Sequence, residues 1–415
     1  MSDLKTIIKQ HAHELGFDLV RVASAGEFHR DRDIALARLR GGLMDGLPWY
    51  TEARVRRGAR PEELLPGARS IICLGLSYYR ADDPTTGSNP ARGEPVEPLA
   101  GRTSTPSGRV ARYARGRDYH GVMKKRMREY VARLSARLGR TIAARWYVDD
   151  GPMLDRAAAA RSGLGWFGKN TNILTASHGS WVVLGQVITD LELEPDPPLQ
   201  KTCGQCARCI PACPTGAIVA PYVIDNTRCI SYLTIEHRGA IPRELRPQMQ
   251  DWVFGCDLCH EVCPVNRRAQ AGQDGAFGRR DLALLDLVAL LSLTEEEFRA
   301  RFRGTPILRA KRVGLKRNAC VALGNRHDPA AVPALARALA EGEPLVRAHA
   351  AWALGQIGGP AAEAALAQAL AREEDPEVLK EIAEALGGHA PGVQIPPNPP
   401  LQRGDGGISP AGKEY

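Results

Sequence analysis

"CGQCARCIPACP", residues 203–214, sets four cysteines within eleven positions and follows the last with a proline. The spacing Cys203-x2-Cys206-x2-Cys209-x3-Cys213-Pro214 is the ferredoxin one, in which three thiolates hold one [4Fe–4S] cluster and the fourth reaches across to another. A second run, Cys256-x2-Cys259-x3-Cys263-Pro264, has the same tail without its first cysteine, and Cys229 in "NTRCISYLT" is the replacement. Crossed ligation predicts that Cys203, Cys206, Cys209 and Cys263 hold one cluster, and Cys213, Cys229, Cys256 and Cys259 the other. A pair of zinc ribbons is the competing reading, but zinc sites rarely use a CxxCxxCxxxCP run.

Eight of the ten cysteines fall between Cys203 and Cys263, while Cys73 and Cys320 sit in apolar contexts as small core residues. Thiols in a reducing compartment stay unpaired, so ligation rather than disulfide formation explains the block. The first twenty residues are broken by charges, which predicts neither a secretory signal nor a membrane span, and hence a cytoplasmic protein. At 415 residues, 44% apolar and 25% charged, the chain is too long for one ordinary core.

Helix and strand signals alternate before the cysteines. Residues 3–16 and 119–138 look helical, and apolar runs at 70–78, 143–148 and 180–190 look like strands, which suggests an α/β layer structure. Gly151-Pro152 is read as opening a helix. Residues 82–109, rich in Pro, Gly, Ser and Thr, read as a loop or insertion. After the cysteines, "ACVALGN" (319–325), "AAWALGQIG" (350–358) and "EIAEALGG" (381–388) recur at intervals of about 31 residues. The whole reads as an α+β multi-domain chain. An α/β domain spans 1–195, a ferredoxin-like two-cluster domain 196–268 and a C-terminal α-solenoid of HEAT-like repeats 280–390. A disordered tail follows at 391–415.

The net charge is +8 and unevenly spread. Arg109 to Arg145 holds twelve Lys/Arg against two acids, and Arg299 to Arg326 holds nine against none. Such stretches suit either a solvated helix face or a polyanionic partner.

A ferredoxin needs far less chain than the 200 residues preceding the clusters. The stretch "VDDGPMLDRAAAARSGLGWFGKNTNIL" (148–174), with "ARYARGRDYHGVM" (111–123), "CGQCARCIPACPTGAIVAPYVIDNTRCISYLTIEHRGAIP" (203–242) and "FGCDLCHEVCPVN" (254–266), closely resembles the epoxyqueuosine reductase family. The resemblance covers about residues 3–388 and implies an enzyme that reduces the epoxide of epoxyqueuosine at the wobble position of tRNA anticodons. It makes the N-terminal domain a cobalamin-binding one, with electrons passing from an unidentified donor (a ferredoxin, flavodoxin or similar) through two [4Fe–4S] clusters to cobalamin. It implies Asp149 as proton donor, although Asp150 stands where the family more often has a hydroxyl residue. Asp150 is read as a helix cap instead.

By the same matching, the cobalamin pocket draws on Ala111, Ile173, Leu184, Ser231, Cys256 and Asp257, and on an arginine before "PEELLP" for which Arg57 and Arg60 compete. No lower axial histidine is implied; "DYHGVM" (118–123) lacks the last glycine of a DxHxxG cobalamin motif. The polyanion is then tRNA, gripped by Lys311, Arg312, Lys316 and Arg317 in "LRAKRVGLKR". The rivals are a reductive dehalogenase-like cobalamin enzyme, a dicluster electron-transfer protein and an RNA-binding repeat scaffold. A monomer is expected.

Overall fold

The computed structural model describes residues 2–81 and 106–387. Most of the expected insertion and all of the expected tail lie outside the described residues.

The N-terminal half is built on a four-stranded sheet, ordered Leu19–Ser24, Ser70–Ser77, Val182–Thr189 and Ala144–Tyr147. The strand SIICLGLS is buried at every position, because the sheet is covered on both faces. Ile72, Leu74 and Leu76 pack with Ile8, Met123, Met127 and Tyr130 of the helices Ser2–Glu14 and Tyr119–Leu138. Ile71 and Cys73 point the other way, onto Leu64, Met153 and Ala157 to Ala159. Every strand pair in this sheet is antiparallel, which corrects the α/β reading. Alternation of helix and strand along the chain sets the layers but not the strand directions.

A second sheet joins three parts of the chain. Ser107–Val110 pairs in parallel with Trp252–Phe254 and antiparallel with Leu284–Asp286. Ser107 to Arg109 were expected in the loop but are buried in this strand. A strand of four residues follows a Pro- and Gly-rich tract too closely for composition to separate them.

The cysteine block carries little regular structure, but its second half, against the expectation from sequence, does have a large core: Ile230, Leu233, Trp252 and Phe254 are buried in one cluster with Leu315 and Leu323 of the repeats. Two short helices, Leu287–Ser292 and Glu295–Arg301, lead into five more among the described residues: Lys311–Arg326, Val332–Glu341, Pro344–Ile357, Pro360–Leu370 and Pro376–Ala385. The recurring Ala-Leu-Gly signature falls on the first, third and fifth of these five, which stack in sequence. Its glycines explain the repeat: a Cβ on Gly324 would lie 3.0 Å from Ala353 Cα, and one on Gly355 3.0 Å from Ala385 Cα. Buried Arg246 anchors the cysteine block to this solenoid by bonds of 2.6 and 3.0 Å to Glu381. No helix among the described residues is long and apolar enough to cross a membrane.

Candidate cluster sites and the cavity beside them

All ten cysteines carry free thiols, and those of the block lie close enough to raise one another's pKa. Burial, then the neighbouring sulfurs of Cys203, Cys263 and Cys206, raises the Cys209 thiol to about 11. Burial and the sulfurs of Cys203 and Cys206 raise Cys263 likewise. In the second expected group, burial comes first for each; Cys213 then acts on Cys229, Cys259 and Cys229 on Cys256, and Cys229 and Cys213 on Cys259. Cys209 also acts on Cys259, so the two groups adjoin. Thiols that oppose one another's ionisation are suited to a cationic centre that takes them as thiolates. No three His, Cys, Asp or Glu among the described residues converge as ligands of a single ion would. In a cubane each thiolate binds a different iron, so its sulfurs stand apart.

The groups differ in exposure. Cys206 is exposed, whereas Cys256 borders a cavity of about 1030 Å³. That volume is at the upper end of small-molecule sites, which run to roughly 1,000 Å³.

Asp149 stands in the cavity wall just past the end of the strand Ala144–Tyr147, with a left-handed φ of 47°. Two donors hold its carboxyl. Tyr119 Oη donates to Oδ2, and His120 Nε2 lies 2.7 Å from Oδ1. His120 Nδ1 lies 2.7 Å from Asp118 Oδ1. Burial opposes the charge on His120, but its bonds to Asp118 and Asp149 prevail and raise its pKa to about 9.

Asp150 turns away to pair with Lys124 and to accept from the Val148 N–H at 3.2 Å. Burial raises its pKa, but these bonds outweigh burial and leave it lowered. It caps no helix, because Gly151-Pro152 continue the turn and the next helix is Asp155–Arg161. The acid that desolvation does raise is Asp155, pushed to about 8 by burial and then by the charge of Asp149. Its Oδ1 has no partner and it lines the cavity.

Of the residues expected around cobalamin, Asp149, Ile173, Leu184, Ser231, Cys256 and Asp257 line this one cavity. Ala111 lies outside the lining and is buried, its N–H bonded to Phe254 O at 2.8 Å. The next N–H, of Arg112, donates to Asp257 Oδ2 at 2.7 Å. Arg57 is exposed and outside the wall, and Arg60 pairs with Glu63 at 2.7 Å and with Glu27 at 3.4 Å. The arginine in the wall is Arg54, one turn before Arg57 on the same short helix; it bonds Gly151 O.

The expected phosphate contacts separate as well. Lys311 is exposed, Lys316 is half-buried, and Arg312 is engaged by Glu343 and by Glu295. Arg317 is fully buried, donating at 2.8 Å to the carbonyls of both His237 and Gly239. It is a clamp on the cysteine block and out of reach of any phosphate. Burial, then Arg238 and Arg246, lowers its pKa to about 9, which still leaves it cationic at neutral pH.

Residues 202–266 match the family model for a 4Fe–4S double cluster binding domain, and 305–387 that for HEAT repeats. Fold and site therefore define an iron–sulfur oxidoreductase with a domain for two [4Fe–4S] clusters, one of whose cysteines, Cys256, borders a large cavity. Residues 58–150 match the model for epoxyqueuosine reductase QueG. The epoxyqueuosine reductase of Xanthomonas campestris pv. campestris is 38% identical over 353 residues, 85% of this chain and 95% of its own. That of Escherichia coli K12 is 37% identical over 358 residues, 85% and 89% of the two chains. A crystal structure of epoxyqueuosine reductase with a tRNA-Tyr epoxyqueuosine-modified stem loop is similar at a TM-score of 0.83 and 30% identity, covering 93% of this chain and 98% of that one. The Bacillus subtilis enzyme, in a structure with its catalytic aspartate loop swung out of the active site, gives 0.82 over the same shares. This chain belongs to the epoxyqueuosine reductase family, oxidoreductases that act on tRNA.

Proposed function

We propose that the chain reduces epoxyqueuosine to queuosine in the tRNA anticodon, with cobalamin in the cavity and Asp149 supplying a proton. The reaction takes the epoxide, two electrons and two protons to the alkene and water. The observation that carries this reading is the meeting, in one cavity wall, of Cys256 from the inner thiol group with Asp149. Reducing power and acid thus reach the same space.

The wall suits a corrinoid. Ile173 and Leu184 offer apolar contact, Arg54, Ser231 and Asp257 offer polar groups, and the unpartnered Asp155 Oδ1 awaits a donor such as a carboxamide N–H. Both histidines of the wall have both ring nitrogens bonded to side chains, His120 to the two aspartates and His260 to Ser180 and Asn172, so neither competes for cobalt. Cobalamin, when bound, supplies a nucleophilic metal centre of low potential. The protein's part is to hold the proton: His120 carries it at neutral pH and shares it with Asp149 Oδ1, from which it passes to the oxygen leaving carbon.

The test is anaerobic reconstitution with iron, sulfide and cobalamin, followed by turnover of an epoxyqueuosine stem loop under an added reductant. Retention of about one cobalt per chain with loss of one oxygen from the nucleoside supports the reading. Iron uptake with neither cobalamin nor turnover returns the chain to the role of electron carrier.

The repeat domain is the expected grip on phosphates. Lys311→Ala lowers the slope of log affinity against log salt by about 0.7 for one contact to single-stranded RNA. An unchanged slope removes Lys311 from the interface.

A further inference from the structure

We propose that Trp49 is a stacking platform for an unpaired nucleobase of the RNA, next to the one that enters the cavity. The inference rests on the proposed substrate and adds a contact to it.

Trp49 is 41% exposed, and among the described residues only it and Val219 are large apolar side chains left to solvent. The chain has six tryptophans, of which Trp166, Trp181, Trp252 and Trp352 are buried. Trp49 is also part of the cavity wall, so its exposure places it at the mouth. An indole left partly exposed there forgoes some of the burial that favours large apolar side chains in a core, and core packing does not account for it.

The ring is held in place rather than dangling. The Arg54 guanidinium lies 5.0 Å from its centroid, and Tyr50 meets it edge-on at 5.9 Å. Arg54 bonds Gly151 O, in the turn that carries Asp149. The loop bearing Trp49 is pinned from the cysteine block, where the Asn226 N–H donates to Leu43 O at 2.8 Å. The platform is therefore coupled to the position of the acid.

An exposed indole backed by guanidinium is the chemistry by which proteins hold splayed single-stranded bases. A modified base whose ring substituent must reach Asp149 leaves its stack, and its neighbour loses a stacking partner. Trp49 replaces that partner. The nucleotide tail of cobalamin is the other flat group that reaches such a rim, and the test separates the two.

Full-length reconstituted Trp49→Ala and Trp49→Phe are compared with wild type for binding of a labelled epoxyqueuosine stem loop by anisotropy, and of cobalamin by absorbance. Trp49→Ala weakens stem-loop binding about ten- to a hundredfold, Trp49→Phe restores most of it, and cobalamin affinity is unchanged. A stem loop abasic on both sides of the modified nucleotide costs wild type the same factor and costs Trp49→Ala nothing more. Wild-type stem-loop affinity in Trp49→Ala, or a loss confined to cobalamin, overturns the proposal. A wild-type chain that binds no stem loop overturns the substrate reading, and this contact with it.

Discussion

Asp149→Asn lowers turnover of the epoxide substrate by about 10²- to 10⁴-fold, the span that a positioned general acid contributes. The variant is a clean one. Asp149 holds a left-handed backbone, φ 47°, which asparagine tolerates better than most residues, so the turn survives while the carboxyl is lost. Iron content and stem-loop affinity stay at wild-type values, which separates a chemical role from a structural one. Wild-type turnover in this variant would leave the leaving oxygen without a donor and end the proposal.

The same arrangement sets a pH dependence. His120 binds its proton more tightly in the fold than an unperturbed histidine near 6.5, because Asp118 and Asp149 flank it and raise its pKa to about 9. The sign follows: the stabilisation of the Asp149 turn is complete below about 6.5 and is lost as pH rises through about 9. Turnover therefore holds through neutrality and falls on the alkaline side.

The double-cluster domain was legible because its chemistry is local: cysteine spacing within a dozen residues is a short-range signal, and the repeat signature is a small-residue contact copied every turn of the solenoid. Direction and phase were not legible. The Glu52–Gly58 helix has arginines at 54, 56 and 57 in only seven residues, so nothing in its pattern says which faces inward. It is Arg54, tied to Gly151. The acid-free run 308–317 reads as one basic surface, yet Arg317 turns into the interface and meets three backbone carbonyls of the cysteine block. Asp155 gave no signal, since an acid opening a helix is normally a solvated favourable charge. Its burial follows only from the packing of Ala157 to Ala159 under the sheet.

Cys259→Ser abolishes turnover and halves the iron, from the roughly eight atoms of two [4Fe–4S] clusters to about four. Cys259 is the residue to choose because its neighbours Cys229 and Cys213 belong to the inner group, while its coupling to Cys209 spans the gap to the outer one. On the proposed path, electrons supplied at the exposed Cys206 side cross that gap to reach the cavity. The outer group, Cys203, Cys206, Cys209 and Cys263, remains complete in this variant, so the surviving four irons stay reducible by dithionite while the substrate stays oxidised. Cys206→Ser makes the mirror comparison. It also loses about four irons, but it leaves the inner group intact beside Asp149, so a small reductant able to enter the cavity restores turnover in Cys206→Ser and not in Cys259→Ser. Equal rescue of both variants would mean that the inner group is no obligatory step between the surface and the cavity, and the assignment of the thiols to two sites in series would fail.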